Sequence, residues 1–257
     1  MRSVVLIFLA ALLAGCAPKT HPQLIVGMEL AYPPFEMTDT LGHPSGVSVD
    51  LARALGIFLG REVEIQNIPF DGLIPSLQTR KIDLIISSMT ATPERAKAIA
   101  FSDPYLSTGL CLLVGKNSPI QNIADADQAG RVLVVKKGTT GHVYATDKVK
   151  HAQVLVLDAE AACVLEVVQG KADAFIYDQI STYENWRRNA EATRPLLQPF
   201  QKESWAIGLR QDDTELRQKV NQFLQDYKSR GGFEKLGDRY LGEQKEAFRK
   251  LGYPFYF

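Results

Sequence analysis

The chain has 257 residues, of which 46% are hydrophobic and 23% are charged, a composition typical of a folded globular protein rather than a disordered or fibrous one. Lysine and arginine total 29 and are balanced by 29 aspartate and glutamate residues, so no positive excess is available for binding nucleic acid. The three cysteines are far apart, and none lies in a C-x-x-C or Cys/His cluster. We therefore expect no disulfide framework, no metal site and no cofactor.

The N-terminal residues have the pattern of an export signal. A basic residue precedes an apolar run, 4–13, that is too short to cross a bilayer as a helix. The run leads into Leu13-Ala14-Gly15-Cys16, which resembles the lipobox at which bacterial lipoproteins are cleaved and acylated on the cysteine. We predict a signal peptide over 1–15, lipidation of Cys16 and a lipidated tether over 16–22, with a plain secretory signal as the alternative. No later segment holds 18 consecutive apolar residues.

Short apolar runs typical of strands then alternate with helical patterns, which is the pattern of an α/β fold. In the first half the predicted elements are a strand over 24–28, a helix over 49–59, a strand over 63–65, a helix over 73–78, a strand over 84–86 and a helix that begins at Thr92-Pro93. Threonine suits the N-cap of that helix and proline its first position. The second half is predicted to hold strands over 110–114, 132–135, 154–156 and 174–177, a turn over 138–141, and helices over 159–169 and 216–224.

An internal similarity suggests two lobes of related design. Residues 77–86 and 168–176 share a helix end, a basic turn, an aspartate and an apolar strand. The carboxyl ends of the strands in such a lobe lie at one edge, and two facing edges form a cleft in which α/β proteins bind ligands. The aromatic tail, 253–257, is expected to pack against a lobe rather than to form an exposed partner surface.

One residue pattern points to an anion site in this cleft. Arg95 lies in the first turn of a predicted helix, where the helix dipole disfavours a cation unless an anion is bound nearby. A guanidinium group can hold a carboxylate through two parallel hydrogen bonds. Hydroxyl-bearing residues 87–90 follow a buried strand, and the backbone of the turn 138–141 can face the same anion from the other side. The alternative is a solvated surface arginine.

Asp178 follows the strand over 174–177 and has two possible roles. It can pair with an ammonium group, or it can cap the helix that follows. An anion site with a separate carboxylate would suit a zwitterion. Glu29 and Tyr32 follow the first strand and Phe70 precedes a helix, where aromatic residues either line a ligand or belong to the core.

A series of motifs then narrows the assignment. They are Tyr32-Pro33-Pro34-Phe35-Glu36, Gly46 with Val49-Asp50-Leu51-Ala52, Leu73-Ile74-Pro75-Ser76-Leu77, Lys81-Ile82-Asp83, Thr90-Ala91-Thr92-Pro93-Glu94-Arg95, Phe101-Ser102-Asp103-Pro104-Tyr105, Gly138-Thr139-Thr140 and Ala206-Ile207-Gly208-Leu209. In this order they resemble the periplasmic polar-amino-acid-binding proteins of ABC importers, solute-binding protein family 3. The resemblance runs from about 24 to 241. It implies an α/β periplasmic binding fold of type II with two lobes, each a mixed sheet flanked by helices, and a ligand in the interlobe cleft.

The same resemblance implies lobe limits and ligand contacts. Lobe 1 would comprise 23–109 plus 206–257, and lobe 2 would comprise 110–205. The contacts of the ligand α-carboxylate would be Arg95, Thr90 and the backbone near Thr140, and those of the α-ammonium would be Ser88 and Asp178.

The residues expected around the ligand side chain leave its chemistry open. By resemblance, Tyr32 and Phe70 would form aromatic walls, and Glu29 would reach the end of the side chain. Lys136 is not expected in a site for basic ligands. If its ammonium group points inward, it would pair with Glu29, and the resulting dipolar site would suit glutamine. If Lys136 points outward, Glu29 is free for a basic ligand, and this is the arrangement we favour from the sequence.

The implied function is capture of a polar L-amino acid by lobe closure and its delivery to the membrane permease subunits of an ABC importer. The protein would be a monomeric, lipid-anchored lipoprotein in the periplasm or on the outer face of the cytoplasmic membrane. One alternative is an exported cyclohexadienyl or arogenate dehydratase, for which Glu29 is the obvious additional acid. Another is an amino-acid sensor for a signalling receptor. Cys111 and Cys163 are expected to be buried apolar residues rather than a disulfide.

Overall fold

The structure is a computed structural model and describes residues 23–253. The predicted signal peptide, the tether with Cys16 and most of the aromatic tail lie outside the described residues. Between 23 and 253 no helix is long and apolar enough to cross a membrane.

The first of two five-stranded sheets takes its strands from both ends of this range. Numbered in chain order, they are β1 (Leu24–Met28), β5 (Val63–Asn67), β6 (Leu84–Ile85), β7 (Ala100–Phe101) and β13 (Gly208–Leu209). The order across the sheet is β5-β1-β6-β13-β7. Strand β1 is parallel to β5 and β6, and β13 is antiparallel to β6 and β7, so the sheet is mixed.

Helices and a small second layer complete the lobe around this sheet. The helices are α1 (Val47–Leu59), α2 (Leu73–Gln78), α3 (Pro93–Ala96), α8 (Thr214–Ser229) and α9 (Gly232–Tyr240), with a short 3-10 turn at Phe70–Gly72. A three-stranded sheet is formed by β2 (Ala31–Tyr32), β3 (Glu36–Thr38) and β4 (Pro44–Ser45). Helix α1 buries Val47, Leu51 and Leu55, which recur at helical spacing, so its apolar face is removed from water.

The second five-stranded sheet is built from the middle of the chain. Its strands are β8 (Leu106–Gly115), β9 (Val132–Lys136), β10 (Gln153–Leu157), β11 (Ala174–Asp178) and β12 (Thr193–Trp205), in the order β10-β9-β11-β8-β12. Its helices are α4 (Ile123–Ala126), α5 (Thr140–Lys148), α6 (Glu160–Val168) and α7 (Gln179–Arg188). The prediction of an α/β fold with two lobes, each a mixed sheet flanked by helices, is confirmed.

The internal similarity has a structural counterpart in the two sheets. Asp83 lies between α2 and β6, and its carboxylate accepts a hydrogen bond of 3.1 Å from the backbone N–H of Ile25 in β1. Asp173 lies between α6 and β11 and accepts one of 2.8 Å from Val132 in β9. Each aspartate therefore ties the start of one strand to its neighbour in the same way.

Two long strands carry the chain between the lobes. Strands β8 and β12 pair in antiparallel fashion, and at their ends next to the first lobe the N–H of Tyr105 donates to the carbonyl of Trp205. Strand β12 is not among the elements predicted from the sequence. Pro195 and Pro199 interrupt its pattern, and a register irregularity separates Leu196 from Gln201. An edge strand tolerates both features, because one side of its backbone needs no ladder partner.

The C-terminal helix α10 (Gly242–Leu251) follows α9 of the first lobe but contacts α7 of the second. The Phe248 ring lies 5.4 Å from that of Tyr183, and the Gln244 amide donates to the Glu184 carboxylate at 2.8 Å. The lobe limits drawn from the sequence remain predictions. The expectation for Cys111 and Cys163 is confirmed, because both are buried free thiols.

Candidate functional site

A cavity lies between the two lobes where the strands β1, β6, β9 and β11 end. Of the nine residues expected to contact a ligand, eight line this cavity, and Lys136 lies beside it in contact with Glu29. The residues that line the cavity are Glu29, Tyr32, Glu36, Phe70, Ser87, Ser88, Thr90, Arg95, Leu110, Thr139, Thr140, Gly141, Tyr177, Asp178, Glu203 and Trp205.

Arg95 reaches from the first lobe to the second. Thr92 caps α3 by accepting the backbone N–H of Arg95, and Pro93 occupies the first helical position, as predicted. The guanidinium donates to the carbonyl of Thr90 at 2.8 Å and to the carbonyl of Gly138 at 3.0 Å. Burial lowers the pKa of Arg95 to about 10, so the side chain remains cationic at neutral pH. The structure therefore places a fixed cation, with further N–H donors, at the cavity.

The turn 138–141 contributes less backbone to an anion than its sequence suggests. The N–H of Gly138 donates to His142 Nδ1, and the N–H of Thr139 donates to the carbonyl of Lys136. Thr140 and Gly141 begin α5, and the first N–H groups of a helix have no intrahelical acceptor. Those two amides are the donors that the turn offers to the cavity.

Sequence analysis missed a carboxylate beside Arg95. Glu203, in β12, is buried, and its Oε2 atom accepts hydrogen bonds of 3.0 Å from the hydroxyls of both Thr90 and Thr140. Its Oε1 atom accepts from Gln201 at 3.1 Å. The only sequence signal was its place just before Ala206 of the family motif, on a strand that was not predicted.

Asp178 caps the helix that follows and also faces the cavity, so its capping role is confirmed and its contact with an ammonium group stays a prediction. Its Oδ1 atom caps α7 by accepting the N–H groups of Ile180 and Ser181, each at 3.0 Å, while the residue also lines the cavity. Burial raises the pKa of Asp178 to about 7, in spite of the Ser181 hydrogen bond, which lowers it. The Tyr32 hydroxyl approaches this carboxyl outside regular hydrogen-bond geometry.

The predicted ammonium contact Ser88 is bound to a second acid that was not singled out from the sequence. The hydroxyls of Ser48 and Ser88 donate to Glu36 Oε2, at 2.5 Å and 3.1 Å. Glu36 is buried, and burial raises its pKa to about 8. Glu36 belongs to the motif 32–36 that carried the family resemblance, and this was the signal available for it.

Lys136 points inward and forms an ion pair with Glu29 across the cleft. Lys136 is 2% exposed and Glu29 15%, so the pair is largely removed from water. The Lys136 ammonium lies 5.8 Å, and the Arg95 guanidinium 5.4 Å, from the centre of the Phe70 ring. The outward Lys136 on which our preference for a basic ligand rested is not the arrangement observed, because the partly buried carboxylate of Glu29 holds the ammonium.

Aromatic rings close the cavity on one side. The ring centre of Tyr32 lies 5.5 Å from Phe35 and 6.0 Å from both Tyr177 and Trp205. Tyr32 is buried as well as lining the cavity, so it serves both as core and as wall. Within the part of the chain described by the structure, no group of three or more metal-binding side chains occurs. The arrangement can hold a small molecule that carries separated positive and negative charges.

Comparison with known proteins assigns the chain to a family. The sequence model that defines the family of bacterial extracellular solute-binding proteins, family 3, matches residues 24–243. The chain belongs to this family. Its two-lobed fold is accordingly the type II periplasmic binding fold implied by the sequence motifs.

Named relatives are amino-acid-binding proteins. The chain is 29% identical over 239 residues to ABC transporter arginine-binding protein 1 of Escherichia coli. The match covers 91% of this chain and 97% of that protein. The structure of an ancestral arginine-binding protein bound to glutamine matches with a TM-score of 0.80 and 32% identity, covering 86% and 98%. That of an ancestral amino-acid-binding protein, a precursor of cyclohexadienyl dehydratase, matches with a TM-score of 0.78 and 34% identity, covering 85% and 95%.

Proposed function

We propose that this family 3 protein captures a polar L-amino acid and delivers it to an ABC importer. The observation that carries the proposal is the placement of Arg95 and Asp178 on opposite lobes of one cavity. A guanidinium suits an α-carboxylate, and a carboxylate suits an α-ammonium group. The arginine-binding ABC transporter relative supports the importer as the partner.

Capture would proceed by closure of the lobes. Arg95, Thr90 and Glu29 come from the first lobe, and Thr140 and Asp178 come from the second. A ligand that touches both sets gains contacts only when the lobes meet, so its binding energy favours the closed arrangement. The importer would then distinguish closed protein from open protein.

For the ligand side chain we propose glutamine ahead of a basic amino acid. The Glu29–Lys136 pair presents an acceptor and a donor together, which matches the N–H and the carbonyl of a carboxamide. A guanidinium or ammonium group would have to displace the buried Lys136 ammonium from Glu29, which leaves the Lys136 charge uncompensated. Matching structures of an ancestral arginine-binding protein are bound to glutamine in one case and to arginine in another, so the preference rests on the Glu29–Lys136 pair.

Calorimetric titration of the purified protein with glutamine, glutamate, arginine, lysine and histidine tests this proposal. We expect the tightest binding for glutamine. Lys136→Met should shift the preference toward arginine and lysine, because Glu29 would then be free for a cation. Glu29→Gln should weaken any remaining binding of basic ligands. Tightest binding of arginine or lysine by the unmodified protein would contradict the proposed side chain and leave amino-acid capture intact; binding of none would contradict capture itself.

The dehydratase alternative receives less support from the site. Glu29, the acid expected for it, is paired with Lys136, and the two additional acids Glu36 and Glu203 are held by hydroxyl groups. Each of these acids thus already has hydrogen-bond or ion-pair partners within the protein. Incubation with prephenate and arogenate should give no product, and turnover that Glu36→Gln or Glu29→Gln abolishes would establish an enzyme instead.

We propose further that the protein is exported as a monomeric lipoprotein anchored through Cys16. The proposal rests on the motif 13–16 after an apolar run. Expression of the full chain in a bacterium should yield membrane-associated protein whose N-terminal peptide carries acyl chains in mass spectrometry. Cys16→Ser should release the protein from the membrane fraction, because the acyl chains supply the anchoring. An unmodified N-terminus at another residue would contradict lipidation and leave a secretory signal. Amino-acid uptake that needs the importer would separate transport from a sensor role.

A further inference from the structure

Glu203 lies where a ligand carboxylate is expected to find its donors. One of its oxygen atoms accepts both the Thr90 hydroxyl of the first lobe and the Thr140 hydroxyl of the second, each at 3.0 Å. The family resemblance assigns Thr90 and the backbone near Thr140 to the α-carboxylate site, so both hydroxyls lie where that group is expected. A carboxylate of the protein therefore already takes the Thr90 hydroxyl, on which the anion site was expected to depend, and the hydroxyl beside the Thr140 amide.

The chemistry of a hydroxyl makes this contact exclusive. Each threonine hydroxyl has one proton, so a hydroxyl that donates a hydrogen bond to Glu203 cannot donate one to a ligand at the same time. A hydroxyl whose proton is engaged in this way can offer an approaching carboxylate only its lone pairs, which repel it. What remains for an anion is the Arg95 guanidinium with the amides of Thr140 and Gly141.

Glu203 also places a second negative charge at this subsite. It is buried and lines the same cavity as Arg95, and its charge acts to raise the pKa of Arg95 against the effect of burial. Like charges that are shielded from water disfavour each other strongly at a few ångströms. A ligand carboxylate on Arg95 would sit close to the Glu203 charge.

From these contacts we propose that Glu203 is an affinity-limiting residue that competes with the ligand α-carboxylate for the Thr90 and Thr140 hydroxyls. The inference rests on the proposed amino-acid function. The expected consequence is faster release of the ligand, because the Glu203 carboxylate again accepts the hydrogen bonds of both hydroxyls as the ligand leaves. A receptor that must pass its ligand on benefits from such a limit.

The test is the affinity of Glu203→Gln and Glu203→Ala, compared with the unmodified protein, for glutamine by calorimetry and for acetate by NMR titration. Both variants should bind both probes more tightly, by about tenfold or more, through slower dissociation in the case of glutamine. Asp173→Asn is the matched control. Asp173 is a partly buried carboxylate bonded to Arg131 at the opposite end of the second sheet, and its replacement should leave both affinities unchanged. Thermal unfolding of each variant verifies the fold.

The two probes separate this inference from the proposed function. Tighter acetate binding by the variants, with no amino acid bound by any of the proteins, would support the role of Glu203 and contradict amino-acid capture. Equal or weaker binding of acetate and glutamine by folded Glu203→Gln would overturn the inference and leave Glu203 a structural link between the two threonines.

Discussion

Arg95→Ala should weaken amino-acid binding by about 30- to 1,000-fold, corresponding to roughly 2–4 kcal/mol. The guanidinium is the cation fixed at the anion subsite, where it is held by the carbonyls of Thr90 and Gly138. Its removal leaves the α-carboxylate of a bound amino acid in a cleft without a compensating charge. Calorimetric titration of the folded variant measures the loss directly.

Arg95→Lys is the informative companion of this variant. Lysine keeps the charge but cannot bridge two carbonyls and hold a carboxylate with a planar fork, so affinity should still fall. Because Arg95 also links the lobes through Gly138, both variants should be compared by thermal unfolding without ligand. Affinity equal to that of the unmodified protein in Arg95→Ala would remove Arg95 from the ligand site.

Affinity should fall as the pH is lowered from 8 to 5, by up to about tenfold for each pH unit below 7. The reason is the Asp178 carboxyl, whose pKa burial raises to about 7, with the nearby charges of Glu160 and Glu203 acting in the same direction. An ammonium group binds the ionised carboxylate and not the neutral acid. Below the pKa the ligand must displace a proton, whereas well above it no such cost remains, so affinity rises with pH through this window.

Asp178→Asn provides the control for this pH dependence. The amide cannot ionise, so affinity should be lower by about 10- to 150-fold at pH 8, the value of a charged hydrogen bond, and nearly flat from pH 5 to 7. Its Oδ1 atom can still cap α7, which protects the fold. A persistent slope in this variant would assign the titration to another acid, such as Glu36, whose pKa burial raises to about 8, or Glu160, whose pKa burial also raises.

Much of the fold was predictable because its signals are local. The strand Leu24–Met28 and the helix Leu73–Gln78 have the predicted bounds, since each is a continuous or periodic apolar segment bordered by polar residues. Helix α7 was expected only through the alternative role of Asp178 as a cap, and its bounds were not predicted, because its buried residues include Gln179, Ser181 and Thr182, which carry no apolar signal. Polar residues of this kind are buried here by tertiary packing around the cleft, which periodicity does not report.

The residues of the candidate site likewise divide into those that local sequence signals indicate and those that depend on contacts between distant parts of the chain. Arg95 is detectable from its unusual place in a helix turn, and its neighbours from motifs that lie close together in sequence. Glu203 reaches Thr90 across 113 residues, and Lys136 reaches Glu29 across 107. The direction of the Lys136 side chain depends on a partner that only the assembled lobes supply, so no local pattern could decide between an inward and an outward ammonium group.

Helix α7 begins at the cleft and contacts the C-terminal helix further along. Asp178 caps its start, and Tyr183 and Glu184, in its middle, contact Phe248 and Gln244 of α10. Ten helical residues form a stiff rod about 15 Å long. A displacement of Asp178 on ligand binding would therefore be transmitted along α7 to its contacts with α10. A fluorescent dye attached at the contact between α7 and α10 is therefore expected to respond to ligand binding in the cavity without touching the ligand.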